Sequence, residues 1–78
     1  MPHVVVKVWP GHSEEQKQRF ADAVVDAAVR HLDAEPGWVS VGIEEIPAER
    51  WDAEVFQPEI LGKWDTLYAL CDDLKETE

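Results

Sequence analysis

Valines set the first pattern along the chain. In HVVVKVW, residues 3–9, Val4, Val6 and Val8 fall on one face of an extended backbone, with Val5, Lys7 and Trp9 on the other. Apolar side chains on both faces predict a strand covered on both sides. Pro10-Gly11 ends it. The period then lengthens from two to about 3.6 residues. Ser13-Glu14-Glu15-Gln16 has the form of a capping box, in which the Ser13 hydroxyl accepts from the Gln16 N–H and the Gln16 side chain reaches back. Two glutamates in that first turn suit the helix dipole. Phe20, Val24, Ala27, Ala28 and Leu32 recur at helical spacing, so an amphipathic helix is predicted, and the alanines at 21, 23, 27 and 28 keep it slim enough to approach a sheet closely. His31 lies in its last turn and Pro36-Gly37 closes the segment.

Alternation returns in WVSVGIEEI, residues 38–46. Val39, Val41 and Ile43 form its core face, while Ser40, Gly42 and Glu44 point away. Strand, helix and strand in this order form a βαβ unit, residues 2–46, whose two strands should run parallel with a right-handed crossover. Pro47 closes the second strand, and Ala48-Glu49-Arg50-Trp51 reads as a turn. Residues 47–78 then supply a turn and a C-terminal helix. Pro58 suits that helix's first turn, and Ile60, Trp64, Leu67, Cys71 and Leu74 form its packing seam, widened by Leu61 and Tyr68. The fold class is α+β, one domain over residues 1–78.

Size raises a problem that composition answers in part. A chain of 78 residues buries only about 60–65% of its unfolded surface, so it needs a staple or a partner. One cysteine, Cys71, excludes an intrachain disulfide and fits a reducing cytosol. No Cys/His cluster has metal-ligand spacing. Oligomerisation is left, and four tryptophans supply apolar surface for it. A net charge of −10 argues against nucleic-acid backbones and anionic membranes as partners. No signal peptide or membrane-spanning stretch is read in the sequence, so a cytoplasmic location is expected.

Proline directly behind the initiator methionine is a further feature. Methionine aminopeptidases generally remove Met1 before so small a residue, leaving Pro2 as a free secondary amine. Alternatively Pro2 merely begins a strand, where its missing N–H costs nothing. Two strands alone leave both sheet edges open. A proline-initiated βαβ unit of this length that must oligomerise resembles the 4-oxalocrotonate tautomerase family. The likeness is carried by Pro2, the PGHSEEQK run from Pro10 to Lys17, Leu32-Asp33-Ala34 and the second strand ending near Glu45. Trp51, Val55, Phe56, Ile60, Lys63, Trp64, Leu67 and Tyr68 are similar to the longer branch of that family, which includes dimers.

The resemblance implies that Pro2 is catalytic. A general base works best with a pKa near the operating pH, and desolvation lowers the pKa of an amine. Pro2 heads a valine-rich strand, so apolar walls are available to it. Its ring holds the nitrogen in one direction, from which it can take a proton and return it elsewhere on the substrate. That is 1,3-keto–enol tautomerisation. With Met1 retained, the same nitrogen would be a tertiary amide of no useful basicity.

Departures from the family pattern bear on the substrate. Dicarboxylate-handling members carry arginines where this chain has His12 and Ser40, and neither can grip a carboxylate bidentately. A mono-acid, such as an aromatic 2-oxo acid in its enol form, fits better. The family's aromatic pocket residue aligns with Trp51, which could cover the substrate, and Arg50 is a possible carboxylate partner. His12 also reads as a turn residue, Ser40 as an ordinary strand position, Trp51 as a core anchor and Arg50 as a solvated cation. His3 reads as a strand residue.

The expected protein is thus a tautomerase that uses Pro2 as general base on small 2-oxo acid enols, without metal or organic cofactor. Two other readings stay open. In one, a protonated Pro2 acts as general acid in hydration or dehalogenation of an unsaturated acid. In the other, the chain is a silent oligomeric binding protein of the same fold. Pairing two protomers would give a sheet of at least four strands, with Phe20, Val24 and Leu32 buried, and the C-terminal segment would stop growth at a homodimer rather than a hexamer.

Overall fold

The computed structural model describes residues 1–70. They fall into two compact units, Met1–Pro47 and the segment from Ala48 onward.

In the first unit, β1 (His3–Val8) is followed by α1 (Glu14–Leu32) and β2 (Ser40–Glu45). The strands pair in parallel in the register His3↔Ser40, Val4↔Val41, Val5↔Gly42, Val6↔Ile43, Lys7↔Glu44 and Val8↔Glu45. The Ser40 N–H donates to the Pro2 carbonyl at 3.1 Å, and the Ile46 N–H donates to Val8 at 2.8 Å, extending the ladder at both ends. This is the βαβ unit and parallel pairing that the sequence predicts. The second strand starts later than expected. Pro36–Trp38 forms a tight single turn in which the Trp38 N–H donates to the Glu35 carbonyl at 2.9 Å. Proline at the first position pre-sets such a turn.

Pro10-Gly11 leads out of β1, and Gly11 takes φ 121°, a region open to glycine and strained for other residues. The capping box forms as read. The Gln16 N–H donates to the Ser13 hydroxyl at 3.1 Å, and the Ser13 N–H donates to Gln16 Oε1 at 2.8 Å. The helix ends at Asp33, which is left-handed at φ 55° and sends its N–H to the Ala28 carbonyl. A short polar residue is one of the few that tolerates that conformation.

α1 lies over the sheet face that carries Val41 and Ile43. The predicted apolar stripe is displaced by about one position. Ala21, Val24, Val25, Ala28 and Val29 are the shielded apolar residues, joined by Lys17, with Ala28 buried. Phe20 remains 48% exposed and Leu32 67% exposed. Alanines face the sheet because they let the backbones approach, which pushes the bulky residues to the rim. The opposite sheet face, with His3, Val5, Ser40 and Glu44, is exposed at those positions.

The second unit corrects the expected turn at residues 48–51. Ala48–Trp51 is a helical turn, α2, and it runs on into a helix of wider turns over Asp52–Leu61. Pro58 therefore sits inside the helix rather than in its first turn. Proline has no N–H to donate and its ring crowds an α-helical backbone, a clash that wider turns relieve. The Gly62 N–H closes the segment on the Gln57 carbonyl at 2.9 Å. Val55 is buried. Of the predicted seam, Ile60 lies in this helix, Trp64 in a single tight turn (Trp64–Thr66), and Leu67 just beyond. Cys71 and Leu74 lie outside the described residues.

Candidate active site

Pro2 stands one residue ahead of β1, half-buried, with its carbonyl held by the Ser40 N–H. The amine of Met1 donates to the Trp38 carbonyl at 2.6 Å. The chain's start is thus pinned against Trp38–Ser40. Because the strands are parallel and in register, the beginning of β1 and the beginning of β2 share one end of the sheet. The backbones of Pro2 and Ser40 are therefore brought together.

Two residues join them that the sequence reading left out. His3 Nδ1 lies 2.6 Å from Ser40 Oγ, a hydrogen bond between register partners. Trp38, 70% exposed, is tied to the chain start through its carbonyl. No spacing in the sequence announces either contact. The strand register creates the first and the Pro36–Trp38 turn the second. A large aromatic residue directly after Pro-Gly was the available signal for Trp38.

His12 is elsewhere. It follows the end of β1, which spans roughly 20 Å at about 3.3 Å per residue. There His12, Val8, Gln16, Lys17, Phe20 and Ile43 line an apolar hollow of about 250 Å³. A single protomer therefore does not bring His12 to Pro2. Beside this hollow, the Lys17 ammonium contacts Glu14 at 2.7 Å and Glu45 at 3.5 Å. The hydrogen bond that Lys17 donates to Glu14 is the largest of the influences that push its pKa above the ordinary 10.5.

Trp51 and Arg50 belong to the second unit. Trp51 is half-buried in α2, and Arg50 Nε is engaged by Glu54 at 3.3 Å, one helical turn ahead.

A proline-led parallel strand pair crossed by one capped helix, with a polar pair beside the chain start, defines a small enzyme unit of the tautomerase type. The profile of the tautomerase enzyme family matches residues 2–60, and the chain belongs to that family, among the 4-oxalocrotonate tautomerases. Tautomerase PptA from Cronobacter sakazakii is 40% identical over 68 residues, which is 86% of this chain and 90% of that protein. A probable tautomerase from Xylella fastidiosa is 35% identical over 60 residues, 77% of this chain and 73% of its own. Among solved structures, a 4-oxalocrotonate tautomerase isozyme from Methylibium petroleiphilum superposes with a TM-score of 0.60 at 33% identity, covering 62% of this chain and 75% of that one. TomN, a 4-oxalocrotonate tautomerase homologue in the tomaymycin biosynthetic pathway, gives 0.62 at 32% identity, over 64% of this chain and 77% of its own. The protein is an isomerase of the tautomerase kind. No helix among the described residues is long and apolar enough to cross a membrane.

Proposed function

We propose that the mature protein catalyses 1,3-keto–enol proton transfer on small 2-oxo acid enols, with the Pro2 nitrogen as general base. The observation that carries this is the position of Pro2 at the head of β1, half-buried and fastened to Ser40, where the family match also begins. Removal of Met1 converts the Pro2 amide into a secondary amine. Partial burial disfavours its charged form, which moves such an amine toward the range where a base works at neutral pH. The rigid ring then accepts the substrate proton and delivers it to the atom two bonds along. No redox step or group transfer is required, so the residues suffice without a cofactor.

The substrate is proposed to be a mono-acid. His12 and Ser40 offer no bidentate cation, and Arg50 is already engaged by Glu54. The distance between Pro2 and His12 in one protomer supports an assembled site. Two chains related by a two-fold axis normal to the sheet would run their strands antiparallel and set the Pro2 end of one against the His12 end of the other. A homodimer in the cytoplasm is the assembly proposed, with Trp51 covering the substrate.

The test uses protein whose loss of Met1 is verified by mass spectrometry. Pro2→Ala should lower kcat/KM for an aromatic mono-acid enol by about 10²–10⁴-fold. An unchanged rate would leave the chain a binding protein of this fold. Within the wild type, a dicarboxylate enol of similar reactivity should be turned over less efficiently, and a tenfold preference for the dicarboxylate would overturn the mono-acid assignment.

A further inference from the structure

We infer that Trp38 forms an aromatic wall beside the Pro2 nitrogen, against which the flat part of an enol substrate stacks. This wall sets a preference for an aromatic mono-acid. The inference rests on the tautomerase reading proposed above and assigns a selectivity residue to it.

Trp38 ends a turn whose backbone is fixed on both sides. Its N–H donates to the Glu35 carbonyl at 2.9 Å, and the Val39 N–H donates to the Pro36 carbonyl at 3.4 Å. Two residues on, the Ser40 N–H holds the Pro2 carbonyl at 3.1 Å. The Trp38 carbonyl itself accepts from the Met1 amine at 2.6 Å. Standard bond lengths put the Pro2 nitrogen within about 3.6 Å of that amine, and so within about 6 Å of the Trp38 carbonyl oxygen. An indole is therefore anchored within one small substrate's length of the nitrogen proposed as base.

Packing within the chain does not account for this side chain. Trp38 stays 70% exposed, so most of its apolar surface gains nothing from folding. Trp9 and Phe20, the other exposed rings of this size in the first unit, flank the far end of β1, where Phe20 and Val8 line the hollow beside His12. At the Pro2 end the exposed apolar ring is that of Trp38. A substrate gives it a partner. An enol conjugated to a carboxyl group and an aryl ring is flat, and offset stacking of such a surface on an indole is worth up to about tenfold in binding. Stacking also needs no cation, which suits a chain of net charge −10 that repels anions at long range.

The test compares mature wild type, Trp38→Ala and Trp38→Phe on two 2-oxo acid enols, one phenyl-substituted and one methyl-substituted. Wild type should favour the phenyl compound in kcat/KM. Trp38→Ala should shrink that preference about tenfold, whereas Trp38→Phe, which keeps a ring, should hold it within threefold of wild type. The unreactive phenylacetate is also titrated into nitrogen-15-labelled wild type. The indole N–H signal of Trp38, assigned by its absence from Trp38→Phe, should shift with phenylacetate and much less with acetate. A preference in Trp38→Ala within twofold of wild type overturns the wall. So does an equal loss on both enols with a changed mass by light scattering, which would make Trp38 an anchor between two copies of the chain. The titration decides the matter even where Trp38→Ala does not fold, since an indole signal unmoved by phenylacetate overturns the wall as well. An indole signal that shifts as expected, in a protein that turns over neither enol, overturns the tautomerase reading and leaves the wall standing.

Discussion

Between Met1 and Pro47, local preference and observed geometry agree at nearly every step, whereas from Ala48 to Leu70 they part company. The first unit has a capping box with both hydrogen bonds made, a helix of 19 residues and six in-register strand pairs. The second has one α-helical turn, ten residues of wider helix around Pro58, and a single tight turn. The units also differ in which candidate residues they carry: Pro2, His3, His12 and Ser40 lie in the regular one, Trp51 and Arg50 in the irregular one. Chemistry that depends on the direction of a nitrogen belongs on a strand, which holds it rigidly.

Truncation tests the contrast most severely. If the second unit serves to cap the assembly, removing residues 59–78 should turn a homodimer into larger oligomers or aggregate, as read by light scattering. A full-length hexamer, or a truncated chain that stays a well-behaved dimer, would refute that role. The next effect is in packing. Among the described residues, Val55 is the buried side chain of the second unit and Ala28 that of the first. Val55→Ala should cost about 1–3 kcal/mol by leaving a cavity, and Ala28→Leu a similar amount by overpacking the helix against the sheet. Urea unfolding measures both, and a near-zero cost at Val55 would mean that the second unit adds little to stability.

Smaller again is the helix start. Ser13→Ala removes the acceptor for the Gln16 N–H and should lower stability by about 1 kcal/mol. The smallest effect concerns Lys17, which ties α1 to the end of β2 through Glu45. Its folded-state pKa is raised, chiefly by Glu14, so the contribution is fully present below the ordinary 10.5 and is lost as pH rises through the higher folded value. Wild type should therefore lose slightly more thermal stability than Lys17→Met between pH 10 and 12. Identical losses would remove the ion cluster from the account.

Much of the first unit was legible in the sequence because its signals are local. Alternating valines, a Ser-x-x-Gln cap and Pro-Gly breaks each act within a few residues, and their order leaves few topologies open. The same local reading misplaced the second unit. It took Pro58 for a helix start, since proline usually is one, yet here the helix begins ten residues earlier, at Ala48, and widens around it. It also placed Phe20 and Leu32 on the buried stripe, where close approach of the alanines to the sheet leaves both exposed.

The candidate site divides in the same way. Pro2 could be picked out as a candidate from the sequence because the chemistry proposed for it depends on its place behind Met1. That His3 would meet Ser40, that Trp38 would hold the chain start, and that His12 would stand at the far end of the same strand could not. Those relations depend on strand register and on the point where a turn gives way to β2. A shift of one residue in the pairing would put Ser40 opposite a different partner and onto the other face. Side-chain chemistry is a property of each residue alone, whereas proximity between residues 37 positions apart exists only once the parallel ladder has formed.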